Sequence, residues 1–228
     1  MTTPAKPWAL DRIRLLQALT PDQTRRLAPA VETREVRRGD RIYGPGDPAL
    51  AVWAVTVGVV RLSTVSPDDR EVILAFVGQG DLFGELAVVD NGPRDHSADA
   101  HEDGLVCAID RAALADCIRQ APEIGYQINR VLGARVKTLR RRVEELLCRS
   151  ARTRVARAIT ELAAAHGIRD AGGVLIPLRL SQRDLAGLAG LSRETVNAVL
   201  QDFRARDLVE TDRRRIRLLQ PEKLRALC

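Results

Sequence analysis

The sequence predicts an α+β chain in three parts: an antiparallel β-roll, one long amphipathic helix and a winged helix-turn-helix. Three observations lead there. Short runs rich in Val, Leu and Ile, punctuated by glycine, fill residues 31–109. A strict apolar seam runs through residues 122–149. Residues 180–206 read LSQRDLAGLAGLSRETVNAVLQDFRAR, the grammar of two short helices around a tight turn.

Two helical patterns open the chain, over residues 9–19 and 21–31. The second has Thr20 as its cap and Pro21 at its first position. From Val31 to Ile109 the runs VWAVTVGVVRLSTV, REVILAFVGQGDLFG and GLVCAID alternate with turn chemistry at Asp47-Pro48, Pro67-Asp68-Asp69 and Gly78-Gln79-Gly80. No helical segment alternates with these strands, so an antiparallel roll or barrel is expected rather than a parallel sheet. A short helix is expected over 111–118.

Pro122 then opens a helix to about residue 149. Its apolar residues Leu132, Val136, Leu139, Val143 and Leu146 are spaced four, three, four, three. That narrow stripe suits a parallel two-stranded coiled coil, and Asn129, one heptad before Val136, is placed to fix its register. The dimerisation residues are therefore Asn129, Leu132, Val136, Leu139, Val143 and Leu146. A helix over 152–166 follows. The pair Gly172-Gly173 breaks the chain, and Val174-Leu175-Ile176 begins a strand.

In the 180–206 segment Ser181 can cap the first helix, with Asp184 returning the bond. Ala186 is small where two helices approach. Gly190 sits where a turn needs positive φ. Ser192 caps the second helix, whose buried face is Val196, Val199, Leu200 and Phe203. The residues expected to meet DNA are Ser181, Gln182, Arg183, Ser192, Arg193, Glu194, Thr195, Asn197 and Ala198. Residues 211–219 resemble a β-hairpin wing with a basic turn at 212–215.

Charge supports this assignment. Of the net +6, residues 150–228 hold 15 Lys+Arg against 9 Asp+Glu, while residues 1–149 hold 21 of each. A basic module beside a neutral one is the footprint of phosphate binding. No apolar run reaches membrane-spanning length and no signal-peptide core opens the chain, so the cytoplasm is expected. Four dispersed cysteines and three histidines lack metal-ligand spacing. A thiol switch at Cys148 competes with the simpler expectation of inert thiols. Glu85, Arg94, Asp95 and His96 form no spaced nucleophile or acid–base pair, so no enzyme is expected.

In its order of parts the chain resembles the cyclic-AMP receptor protein/FNR (Crp/Fnr) family of bacterial transcription regulators. Two motifs carry the resemblance: SRETVN at 192–197, similar to the family's recognition helix, and FGELAVVDNGPR at 83–94, similar to its phosphate-binding cassette. The resemblance implies a cyclic-nucleotide-binding-like β-roll over 1–121, a dimerisation helix and hinge over 122–149, and a winged helix-turn-helix over 150–228. It implies a homodimeric, sequence-specific regulator whose partners are a two-fold symmetric double-stranded DNA operator and RNA polymerase, with no membrane.

The ligand candidates it implies are Gly84, Glu85, Leu86, Arg94, Asp95, Leu139 and Arg140. Glu85 would accept from a ribose hydroxyl, and Arg94 would grip phosphate. The chain departs from the family at Asp95, where a small hydroxyl residue is usual, and at Leu139 and Arg140, where cyclic-AMP responders supply hydroxyls. Asp95 repels phosphate and is expected to satisfy Arg94 internally, so cyclic AMP fits poorly as a cofactor. No cysteine precedes Cys107, which removes the N-terminal cluster of the family's iron–sulfur sensors. His96, His101, Cys107 and Cys117 lack the spacing of haem ligands. A rival reading keeps the nucleotide module but gives the helix-turn-helix a protein partner; it predicts weak, salt-insensitive DNA binding.

Overall fold

The computed structural model describes residues 2–4, 7–90, 92–148 and 150–228. Asn91 of the 83–94 motif and the Cys148 thiol, on which a redox expectation rested, lie outside the described residues. The chain divides into two compact units, one of residues 1–64 and 74–137 and one of residues 65–73 and 138–228. Among the described residues no helix is long and apolar enough to cross a membrane.

The first unit begins with a short strand, β1 (Thr2–Pro4), which pairs antiparallel with β2 and was not foreseen. The expected helix over 9–19 is shorter: α1 covers Pro7–Asp11, and a 3-10 turn covers Leu16–Ala18. Long-range bonds end α1. The Arg14 amide donates to the Gly80 carbonyl at 3.1 Å, and its guanidinium pairs with Asp81 at 2.5 Å. Helix α2 (Pro21–Leu27) has the expected start, with a Thr20–Gln23 capping box and Pro21 in its first turn. It stops before 31, because Pro29 lacks the N–H that would continue it; residues 28–30 form a 3-10 turn.

The roll follows as β2 (Val31–Val36), β3 (Arg41–Tyr43), β4 (Ala51–Val57), β5 (Val60–Val65), β6 (Glu71–Val77), β7 (Leu82–Phe83), β8 (Ser97–Ala100) and β9 (Gly104–Asp110). One sheet has the order β1-β2-β9-β4-β7 and the other β3-β8-β5-β6. The alternation of β4 and β9 decides what covers each face. Val55 and Val106 join Phe83, Val60 and Leu62 in one apolar cluster. Val52, Ala54, Cys107 and Ile109 turn the other way, toward Leu10, Leu27 and Leu114. Both faces of the first sheet are thus buried. Helix α3 (Arg111–Gln120), capped by Asp110, carries Leu114 into that second cluster.

Helix α4 (Pro122–Cys148) is the long helix expected. Ile124 and Ile128 are buried in the roll cluster, and Leu132 packs partly against it. In the second unit α5 (Ala151–His166) is capped by Ser150. Strand β10 (Ile168–Asp170) was not foreseen; it pairs with β11 (Gly173–Ile176) across a two-residue turn. Helices α6 (Gln182–Ala189) and α7 (Arg193–Ala205) follow. The wing is β12 (Val209–Asp212) and β13 (Arg215–Leu218), and a short helix, α8 (Pro221–Arg225), comes last. The four strands form one antiparallel sheet, β10-β11-β13-β12.

The wing turn has an unusual composition. Asp212 pairs with Arg215, so Arg213 and Arg214 form a two-residue loop, with φ of 44° and 67°. Positive φ at both positions defines a type I′ turn, which favours Asn-Gly. Each arginine there carries a left-handed cost of about 1–2 kcal/mol.

Candidate nucleic-acid interface and sensor cavity

The helix-turn-helix is built by local chemistry. The Ser181 hydroxyl accepts from the Asp184 amide at 3.1 Å, and Asp184 accepts in return from the Ser181 amide at 2.7 Å. Gly190 has φ of 61°. The Arg154 guanidinium donates to the Ala189 carbonyl at 2.9 Å, so the turn is held from α5 as well. Ser192 caps α7 by accepting from the Thr195 amide at 3.2 Å. Val196, Leu200 and Phe203 are buried and Val199 half-buried.

This leaves the N-terminal part of α7 outward. Arg193, Glu194 and Ala198 are exposed, with Thr195 and Asn197 half-buried. The Glu194 backbone N–H and the Ser192 hydroxyl hold its carboxyl below the usual range, so it stays an ionised acceptor. The Gln182 amide donates to the Asn197 carbonyl oxygen at 3.0 Å, joining the two helices at their outer side.

In front of these residues lies a groove of about 520 Å³. Its walls include Ser181, Gln182, Arg183, Arg193, Arg204, Thr211, Arg214 and Arg215, and no acidic residue lines it. Sequence reasoning missed Arg204 and Thr211, whose side chains bond at 3.3 Å. Their signal was weak, because α7 and β12 meet only in the fold.

The first unit holds a second site. Gly84, Glu85, Leu86, Arg94 and Asp95 line one small cavity of about 80 Å³, together with His96 and Arg135. Gly84 has φ of 67°, and a Cβ there would lie 2.5 Å from Arg94 Nη1. Glycine thus permits both the turn and the close passage of the guanidinium. Arg94 is 6% exposed; it donates to the Gly84 carbonyl at 2.9 Å and to the Ala51 carbonyl. It also lies over the Tyr43 ring, 4.3 Å from its centroid. Burial pulls this guanidinium below its ordinary pKa and pushes the Tyr43 phenol up.

One expectation needs correction. Asp95 does not pair with Arg94: it meets His96 Nδ1 at 2.6 Å, and His96 Nε2 meets the Tyr43 hydroxyl at 3.0 Å. Arg94 is buried and turns inward, whereas Asp95 is exposed. Leu139 and Arg140 are exposed on α4. The residue that α4 supplies is Arg135, which pairs with Glu85 and donates to the Leu82 carbonyl at 2.7 Å. Ile124, Ile128, Leu132 and Arg135 form a second stripe on α4, a signal that the seam obscured.

Glu85 is 1% exposed. Its Oε2 and the Arg94 Nε are buried without hydrogen-bond partners among the described residues. Unmet polar atoms of this kind fit a ligand bearing hydroxyl and phosphate groups. Cys107 is buried, with its sulfur 3.2 Å from the Thr56 hydroxyl, and burial raises its pKa and that of Cys117. Among the described residues no cluster of His, Cys, Asp or Glu could hold a metal.

Comparison with known proteins identifies a domain around each of these residue sets. The profile of the cyclic nucleotide-binding domain matches residues 33–121, and that of the Crp-like helix-turn-helix domain matches 153–227. A CRP-like cAMP-activated global transcriptional regulator of Mycobacterium tuberculosis is 31% identical over 94% of this chain and 96% of its own. The chain belongs to the Crp/Fnr family. Within that family it is also 33% identical to the cyclic AMP receptor protein of Thermus thermophilus, over 82% of this chain and 83% of the other. FixK2 of Bradyrhizobium japonicum superposes with a TM-score of 0.76 at 26% identity, covering 86% of this chain and 96% of that one. Crp/Fnr proteins are transcription regulators, not enzymes; this chain joins a cyclic nucleotide-binding sensor domain to a DNA-binding helix-turn-helix. The rival reading, a helix-turn-helix for protein contact, is set aside.

The buried Glu85–Arg135 pair gives a test of the cavity's construction. Arg135→Met should destabilise the protein by about 3 kcal/mol, because it strands a buried carboxylate. Adding Glu85→Gln should recover most of the loss. Urea unfolding measures both, and a loss below about 1 kcal/mol in the single variant would remove the pair from its structural role.

Proposed function

We propose that the protein works in the cytoplasm as a homodimer on two-fold symmetric operators, with RNA polymerase as its further partner. Residues 1–121 act as sensor, 122–149 as dimerisation helix and hinge, and 150–228 as the DNA-binding domain. The observation that carries this reading is the acid-free, arginine-walled groove beside the exposed start of α7. Five arginines line it without a carboxylate among them; Arg183, Arg204 and Arg215 offer phosphate contacts, and α7 offers side chains such as Arg193 to base edges.

Arg193 is placed to bond guanine O6 and N7, and Glu194 to accept from a cytosine amine. Ser181, Gln182, Arg183, Ser192 and Thr195 serve the backbone, while Asn197 and Ala198 face bases. Selection from random duplexes should return symmetric sites with half-sites about one helical turn apart. Arg193→Ala or Glu194→Ala should cost about 1–3 kcal/mol and relax one base pair. Asymmetric sites, or an Arg193→Ala protein that binds unchanged, would reject the assignment.

Dimerisation is supported by what α4 leaves uncovered. Asn129 is exposed, and Val136, Leu139, Val143 and Leu146 are 46%, 53%, 58% and 56% exposed. A seam of this kind buries itself against its own copy. Leu132 contributes only in part, since it also packs on the roll. Leu139→Asp and Val143→Asp should each yield monomers by sedimentation and lose specific DNA binding together. Dimers that persist in both would move the interface elsewhere.

For the effector, Glu85 and Arg94 fit a ribose and a phosphate, while Asp95 opposes an anion at the cavity mouth. About 80 Å³ is small beside the roughly 300–1,000 Å³ of typical ligand pockets. The relative in Mycobacterium tuberculosis is described as cAMP-activated. This chain is read instead as binding cyclic AMP weakly and DNA appreciably without it. Calorimetric titration of the wild type and of Asp95→Ser checks this, the variant being expected to bind more tightly. Sub-micromolar cyclic AMP affinity in the wild type, with a large gain in DNA affinity, would overturn it.

A further inference from the structure

The strained wing turn has no explanation in the packing of its own unit. Asn-Gly would form the same hairpin at lower cost, yet the chain places Arg213 and Arg214 at the two left-handed positions. With Arg215 they are exposed, and none of the three makes an ion pair among the described residues. Backbone strain that persists at a charged, protruding tip points to use rather than packing.

The tip is also fixed in place. The Leu180 amide, just before α6, donates to the Arg214 carbonyl at 2.7 Å. Arg214 and Arg215 share one groove wall with Arg193 at the start of α7. With α7 in the major groove, a hairpin tip so tied meets the adjoining phosphate backbone and the minor groove beyond it. We propose that Arg213 and Arg214 enter that flanking minor groove and favour A·T base pairs there. A·T tracts narrow the groove and deepen its negative potential, which draws in arginine. The wing then adds a specificity determinant outside the bases that α7 touches. This rests on the assignment of α7 to the major groove.

The test uses the full-length protein and an operator recovered by selection. Its flanks are replaced by A·T, G·C or inosine·cytosine pairs. Inosine lacks the guanine 2-amino group, so it gives a minor groove like that of A·T while keeping the guanine-like major-groove edge. Fluorescence anisotropy should show A·T and inosine·cytosine flanks bound about tenfold more tightly than G·C flanks. The variant R213N/R214G should bind all three flanks alike while still rejecting altered half-site cores. It should melt at or above the wild-type temperature, so lost preference would not reflect unfolding. Indifference of the wild type to its flanks would overturn the proposal. So would inosine·cytosine behaving as G·C, or a flank preference that survives in R213N/R214G. Failure of the α7 assignment reads differently: Arg193→Ala would leave the core preference intact whatever the flanks.

Discussion

The constraint on which the structure depends is that one helix must satisfy two environments. Along α4, Ile124 and Ile128 are buried in the roll cluster, whereas Val136, Leu139, Val143 and Leu146 stay open to solvent. The roll cluster needs the first stripe to close over Leu114 and Ile109. The second stripe is apolar and about half exposed in the single chain. Exposed apolar seams of this regularity are unfavourable in isolation. The proposed self-association and the folding of the sensor therefore draw on the same 27-residue element. Arg135, on the roll-facing stripe, ties that element to the cavity through Glu85.

Charge in the second unit is organised by pairing more than by composition. Arg152 meets Asp202 at 2.9 Å and Arg157 meets Glu145 at 2.8 Å, while Arg217 pairs with Asp170 and Arg225 with Glu222. These arginines present little free charge. Around the groove the carboxylates are missing, and Arg183, Arg193, Arg214 and Arg215 remain available. A modest net charge is thus concentrated where these arginines line the groove without a carboxylate.

Local features were legible in the sequence, and long-range ones were not. Ser181, Asp184, Gly190 and Ser192 act within four residues of their partners, so their order along the chain predicts the motif. The seam of α4 is equally readable from spacing. The cavity is different. Tyr43, Glu85, His96 and Arg135 come from four places in the chain, and the direction of Arg94 depends on the carbonyls of Gly84 and Ala51. Nothing adjacent to Arg94 signals those partners, which is why Asp95 looked like its neighbour in chemistry as well as in sequence. The helix expected over 9–19 failed for a related reason: its apolar spacing is real, but Gly80 and Asp81 capture Arg14. Strand β10 carries three exposed residues and offers no alternation to read.

The turn between α6 and α7 is pinned by Ser181, Asp184, Ser192 and the reach of Arg154. A reader held this firmly spends little on ordering itself at the duplex. It also tolerates little error of phase. In the two-fold dimer proposed above, one extra base pair between half-sites would swing the second groove by about 35° around the duplex axis. Rigid reading heads cannot follow that rotation by loosening their own turns. The slack would have to come from bending the DNA or from the segment joining α4 to α5, so operator spacing becomes a direct gauge of how stiff that joint is.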